Sequence, residues 1–296
     1  MNHARTRLTT ILAQGQFAVT VEFNPPKGCD ISGMLDVTKS LLGRIHGVNV
    51  TDNTAAVMRA SSLAVCRLFY EQGHDPVFQV TCRDRNRLGI QSDLLGAHLL
   101  GIRNVLCLTG DPPSVGDHRD AKPVYDFNTI QLMQAIGMLN HGSDWGGNAL
   151  EGSTDFSIGG AVSPEADTTT IMHQKFSAKI QAGAQFFQTQ AVFCQDGFTT
   201  FMKDVRPYGT KVLAGILVLR SVKMAEFLNA NIPGLSVPEA IISELRDAGE
   251  RAVEAGIEIA VRTIKAIRPH CDGVHLMAPR GIERLPEILT KAELGP

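Results

Sequence analysis

NVLCLTGD, residues 104–111, decides the fold. In Asn104–Leu108 an unbroken apolar run, Val105–Leu108, is flanked by polar residues, the pattern of a short strand buried on both faces. Thr109, Gly110 and Asp111 then end it with a hydroxyl, a flexible backbone and a carboxylate. In parallel α/β proteins, function collects at the C-terminal ends of core strands, so Asp111 is a candidate functional residue. A second carboxylate stands in the same position at the end of FAVTVEF, residues 17–23, where the strand reaches Glu22.

Outward from these two strands, strand-like and helix-like segments alternate. The predicted strands are Phe17–Phe23, Gly47–Asp52, Pro76–Cys82, Asn104–Leu108, Phe156–Val162, Phe186–Thr189, Lys211–Leu217 and Asp272–Leu276. The predicted helices are Ile31–Arg44, Val57–Glu71, Arg87–Leu100, Asn128–Leu139, Thr168–Ala182, Gly197–Arg206, Val222–Leu228 and Ile282–Leu289. Before the last strand, Pro238–Arg268 carries Ala240, Ile241, Leu245 and Ala248 near helical spacing. Eight strand–helix units with no Pro/Gly-rich linker predict one (β/α)8 TIM barrel over residues 1–296, with an extra helical segment before the last strand. A doubly wound sheet is the runner-up. In a barrel, Glu22, Thr51–Asn53, Thr81, Thr109–Asp111, Gln188–Gln190 and His275 would surround one mouth.

Composition narrows the classes. Hydrophobic residues make up 44% and charged residues 20% of the 296, as in soluble globular domains. The formal net charge of −2 disfavours nucleic acid as a partner. No apolar run reaches the roughly 18 residues of a membrane span, and MNHARTRLTT lacks an apolar signal core, so a cytoplasmic location is expected. The six cysteines are scattered without a CxxC pair, which reads as reduced thiols and not as metal or iron–sulfur ligands.

Several side chains carry chemistry, each with a plainer reading beside it. A carboxyl at Glu22, partly desolvated in a mouth, is a usable general acid; otherwise it pairs with Lys27 or an arginine. Asp111, before Pro112 and Pro113, is a ligand-facing carboxylate or a turn cap. Gln188 and Gln190 lie two apart, so both point to one side of a strand, where amides suit an amide-like or pterin-like ring edge; the alternative is a polar strand end bonded to neighbouring loops. CRDRNR, residues 82–87, gathers three arginines to bind an anion or to lace loops by ion pairs. His275, with no HxH or HExxH, reads as a satisfied strand histidine, and no metal is expected.

Together, AVTVEFNPPKG (18–28), VTDN (50–53), VTCRDRNR (80–87), LTGDPPSVGDH (108–118), SPEAD (163–167), KIQAGAQFFQTQAVF (179–193) and NIPGLSVP (231–238) resemble the methylenetetrahydrofolate reductase family. They span almost the whole chain in one order. The resemblance implies a flavoprotein barrel of one-carbon metabolism that reduces 5,10-methylenetetrahydrofolate to 5-methyltetrahydrofolate with FAD as hydride carrier. By position, it makes Glu22 the catalytic acid and Asp111 a catalytic residue near both flavin and folate. It assigns Gln190 and, in the nearest register to a pterin-covering aromatic, Leu228 to the folate. Thr51, Gln79, Thr109, Gly110, Asp111, Tyr125, Glu165 and Lys179 fall on cofactor-holding positions. Departures are equally visible. Asn24 replaces an aromatic of EFFPPK, Thr109 replaces the arginine of LRGD, and Gln79 and Ser163 stand where histidine is common; Arg83, Arg85 or Arg87 is then a candidate for the lost charge.

The electron donor implied is NADH, NADPH or a protein, and a homo-oligomer or a redox partner subunit is compatible with the chain. Two other readings stay open: a non-flavin folate-binding component of methyl transfer, and a partner-dependent subunit of a larger redox complex.

Overall fold

The computed structural model describes residues 8–164, 169–232 and 234–295. Eight parallel strands close in sequence order into a barrel: β1 (Ala18–Phe23), β2 (Gly47–Val50), β3 (Pro76–Thr81), β4 (Asn104–Leu108), β5 (Ser157–Val162), β6 (Phe186–Ala191), β7 (Lys211–Leu217) and β8 (Gly273–Met277). Closure is made by β8 pairing with β1, with His275 beside Thr20 and Met277 beside Glu22. The TIM barrel predicted from the alternation is the observed fold, and no open sheet is present among the described residues.

Eleven α-helices accompany the strands among the described residues: α1 (Leu8–Ala13), α2 (Ser32–Ser40), α3 (Ser62–Glu71), α4 (Arg87–Leu99), α5 (Thr129–Asn140), α6 (Thr169–Gln181), α7 (Gln195–Val205), α8 (Val222–Asn231), α9 (Glu239–Ala248), α10 (Ala252–Ile267) and α11 (Leu285–Lys291). Their starts follow local chemistry. Asn128 and Gln131 form a reciprocal capping box at α5, and the Asn86 side chain accepts from Gly89 N at α4. The outward faces of the strands and the inward faces of the helices form one buried core, including Phe23, Phe69, Phe127, Phe176 and Phe187.

The short helix α1 was not read from the sequence. Leu8, Ile11 and Leu12 pack against Ala18, Val77, Leu106, Phe186 and Leu213, the inward residues near the strand beginnings. Leu8 N donates to Asp75 Oδ2 at 3.1 Å. Thus α1 seals the N-terminal end of the barrel with apolar surface.

The extra segment before β8 needs a correction. Pro238–Arg268 is two helices, and only α9 is extra. α10 is the barrel's own outer helix: Ile257, Ala260, Val261, Ile264 and Ile267 belong to the main core. α9 instead joins α8 in a separate apolar cluster with Leu219, Leu235 and Val237. A single 3-10 turn at Gly249–Arg251 separates α9 from α10, so helical periodicity runs across both. Among the described residues, no helix is long and apolar enough to cross a membrane.

Candidate active site at the C-terminal mouth

The ends of β1 to β4 surround a cavity of about 280 Å³ lined by Glu22, Thr51, Gln79 and Thr109–Asp111 among others. Strand ends hold these side chains on rigid backbone, as a preorganised site requires. Glu22 Oε2 accepts from Gln79 Nε2 at 3.1 Å and lies 3.3 Å from His275 Nε2. The plainer reading of Glu22, a pair with Lys27, does not hold: Lys27 pairs with Asp117.

Around Glu22 the loops are tied to one another. Thr51 Oγ1 donates to Asn24 Oδ1 at 2.9 Å, so the asparagine in the aromatic's place braces the end of β2. Asp52 accepts from Thr81 N at 2.9 Å and Thr81 Oγ1 at 3.0 Å, and also pairs with Arg85. Asn53, Ala55 and Ala56 have φ of 48°, 55° and 54°, an unusual run for residues with a Cβ. That strained strap is held by Asp111, whose Oδ2 accepts from Ala55 N at 3.2 Å.

The TGD turn is shaped by Gly110, at φ +85°, where a Cβ would lie 3.0 Å from Thr81 Cβ. Tyr125 clasps it, with the hydroxyl donating to Gly110 O at 3.1 Å. Burial raises the Tyr125 phenol above its ordinary pKa, which keeps that donor protonated at neutral pH. Thr109 Oγ1 shares a hydrogen with Thr129 Oγ1 at 2.8 Å.

The three arginines of CRDRNR are structural. Arg83 is buried, donates to Asp111 O and Asn53 O at 3.1 Å each, and pairs with Asp84 at 2.7 Å. Its hydrogen bond to Asp84 raises its pKa further. Arg85 is paired with Asp52 and Asp93, and Arg87 with Asp126. Every one is engaged by a carboxylate, so none stands free to replace the arginine lost at Thr109.

Other predicted site residues sit elsewhere. Lys179 donates to Ala161 O and lines a separate cavity of about 300 Å³ with Ser163, Met172, Lys175 and Phe176. Glu165 lies outside the described residues. Gln188 and Gln190 do not act as a pair, because the register between β6 and β7 shifts between Gln188 and Ala191. Gln188 is buried in the barrel centre, bonded to Asn49, while Gln190 Oε1 accepts from its neighbour Ala191 N at 3.0 Å. Leu228 lies elsewhere: its side chain is buried in the α8–α9 cluster with Ala225 and Ile241 and is not in the lining of these two cavities.

A further cavity of about 540 Å³, also walled by Glu22, was missed. Arg59 and Arg280 line it. Arg59 Nη1 donates to Pro25 O at 3.0 Å, while its Nε is buried without a partner. The signal was available, since Arg280 follows the last strand as Asp111 follows the fourth. Among the described residues, no cluster of His, Cys, Asp and Glu could hold a metal ion. The six cysteines are free, and burial pushes the Cys82 thiol to about 11 and that of Cys271 to about 12.

Comparison with known proteins bears on the family and the fold. Methylenetetrahydrofolate reductase 2 of Schizosaccharomyces pombe is 26% identical over 237 residues, covering 76% of this chain and 36% of that protein. The 5,10-methylenetetrahydrofolate reductase of Pectobacterium carotovorum is 24% identical over 273 residues, covering 86% of this chain and 82% of that protein. The chain spans less than half the length of the eukaryotic relatives it matches. A solved Clostridium thermocellum protein, which binds two copies of 5-methyl-5,6,7,8-tetrahydrofolic acid, shares the fold with a TM-score of 0.64 and 14% identity, over 97% of this chain and 98% of that one. The sequence profile of methylenetetrahydrofolate reductases matches residues 7–293, and the chain belongs to that family.

Proposed function

We propose that this chain reduces 5,10-methylenetetrahydrofolate to 5-methyltetrahydrofolate with bound FAD, taking electrons from NADH, NADPH or a protein donor. The observation that carries the reading is the presence of Glu22 and Asp111 in the lining of one mouth cavity in a member of this family. The Clostridium thermocellum relative's folate ligands support a folate in a barrel of this shape.

The donor set fits FAD. The mouth cavity offers the Gln79 amide, the Thr109 hydroxyl and the Asp111 carboxylate to a polar ring edge. The cavity beside β5 brings Lys175 and Lys179 near the apolar Met172 and Phe176, a setting for a diphosphate and an adenine. FAD, when bound, supplies hydride chemistry that no side chain here can perform.

The chain's own residues do the rest. Glu22 gives a proton to N10 of the folate as its five-membered ring opens. The negative charge of Asp111 stabilises the cationic iminium that follows. Arg59 and Arg280, beside Glu22 in the larger cavity, suit the carboxylates of the folate's glutamate end.

The test is a reconstitution. Purified protein is titrated with FAD, the bound flavin is reduced anaerobically, and methylenetetrahydrofolate is added. Saturable FAD binding, reoxidation of the flavin and formation of 5-methyltetrahydrofolate are expected. Folate binding with no flavin binding would instead favour a non-flavin methyl-transfer component. Flavin that NADH and NADPH both fail to reduce, but that an artificial dye reduces, would mark a partner-dependent subunit.

A further inference from the structure

Below Glu22, four side chains in the barrel centre are almost wholly buried: Thr20, Asn49, Gln188 and His275. They come from β1, β2, β6 and β8, so they meet only because the barrel is closed. Buried polar groups must be paired, and the pairing here runs in one direction.

It starts with two amides. Asn49 Nδ2 donates to Gln188 Oε1 at 2.7 Å, and Gln188 Nε2 returns a bond to Asn49 Oδ1 at 3.1 Å. With the amides in this orientation, the Nε2 end of Gln188 is the one that points on toward Thr20. Its second N–H faces Thr20 Oγ1 at 3.4 Å, making that oxygen an acceptor. The Thr20 proton then has two acceptors, His275 Nδ1 at 3.0 Å and Val274 O at 3.4 Å. Directed along the shorter contact, that proton makes Nδ1 the acceptor. An imidazole whose Nδ1 accepts carries its proton on Nε2.

That N–H lies 3.3 Å from Glu22 Oε2, which also receives the Gln79 N–H at 3.1 Å. A carboxyl oxygen already receiving two N–H donors is a poor place for a third hydrogen. Oε1 receives none among the described residues.

We propose that His275 is the positioning residue of Glu22: with its tautomer set through Thr20, Gln188 and Asn49, it joins Gln79 in loading Oε2, so that the acidic proton resides on Oε1. This rests on the reading of Glu22 as general acid. The proton given to substrate comes from Glu22 alone, which is left ionised with both N–H bonds already in place to stabilise it. His275 gains and loses nothing during the step.

Other charged groups facing Glu22 are Asp52, Arg83 and Asp111 on one side and Arg59, Arg280 and Glu283 on the other. All stay in place in the variants that test the idea.

Two measurements decide it. In the first, nitrogen NMR of labelled wild-type protein, at a pH well above the ordinary histidine range, reads the tautomer of His275. The Nε2–H form is expected, and the Nδ1–H form would overturn the proposal. In the second, pH profiles of kcat and KM for the folate half-reaction are compared between His275→Leu and His275→Gln. The leucine variant should lose on the order of 10-fold or more in kcat, with KM changed less and the profile displaced. Glutamine, whose amide nitrogen keeps a donor toward Oε2, should restore most of it. Equal loss in both variants would mean packing alone, and native behaviour in leucine would mean no role; either result rejects the proposal. If wild type reduces no folate at all, the proposed function fails, and the NMR result alone judges the tautomer.

Discussion

Gln79 Nε2, on β3, donates to Glu22 Oε2, on β1, at 3.1 Å, over the top of the intervening β2. The resemblance to relatives gives position 79 to the cofactor. Here one of its two amide N–H groups is committed to the carboxylate. The loss of a family histidine is therefore coupled to the environment of the candidate acid.

Replacing Glu22 with glutamine separates the two halves of the proposed reaction. Glu22→Gln should bind FAD and accept electrons as wild type does, while folate reduction falls by roughly 10²-fold or more. Stopped-flow traces of each half-reaction check this. Native folate reduction in the variant would remove Glu22 from the proton transfer.

Asp111→Asn should make the flavin easier to reduce, because a negative charge beside it is gone. A change on the order of 1 kcal/mol is expected for a charge near the ring. The amide oxygen of asparagine can still accept from Ala55 N, so the strap at Asn53–Ala56 should survive. Redox titration reads the potential; an unchanged value would place Asp111 away from the ring.

Acid should loosen the loops of the mouth. Asp117 is held at about 2 by its bond to Lys27 and by the N–H of Met58, and Asp126 at about 2 by Arg87. Both lie below the unfolded-chain value of about 3.9. Their contribution is thus complete above that value and is lost as pH falls toward about 2. Hydrogen exchange at Met58 and Arg87 should accelerate across that window. For Asp117→Asn and Asp126→Asn the step should disappear, and its persistence would point to other carboxyls.

At Gly256, on α10, a Cβ would stand 1.7 Å from Leu219 O. Helix and backbone can approach so closely only without a side chain. Gly256→Ala should destabilise the protein by about 1–3 kcal/mol or more, as overpacking does. Thermal unfolding measures it, and an unchanged Tm would mean that α10 shifts freely.

The barrel was legible because its strands are short apolar runs ending in polar residues, a pattern that local sequence alone displays. Glu22, Thr51, Gln79 and Asp111 were legible for the same reason, as strand-end residues. What stayed hidden depends on distant partners. Arg83, Arg85 and Arg87 look like a free cationic patch until Asp84, Asp52, Asp93 and Asp126 close on them. That Gln188 and Gln190 part company was hidden because an irregular register at the end of β6 is not visible in local alternation. Helical periodicity says that a face is apolar, not which core it joins, so α9 and α10 were not told apart. In six residues, α1 is too short for periodicity to reveal.

With α1 plugged into the strand beginnings, the barrel is a cup and not a tube. If the chain binds FAD as proposed, electron donor and folate reach its ring by the same doorway. They therefore take turns. Steady-state kinetics should show a ping-pong pattern, with parallel double-reciprocal lines, and each substrate at high concentration should inhibit by occupying the other's turn.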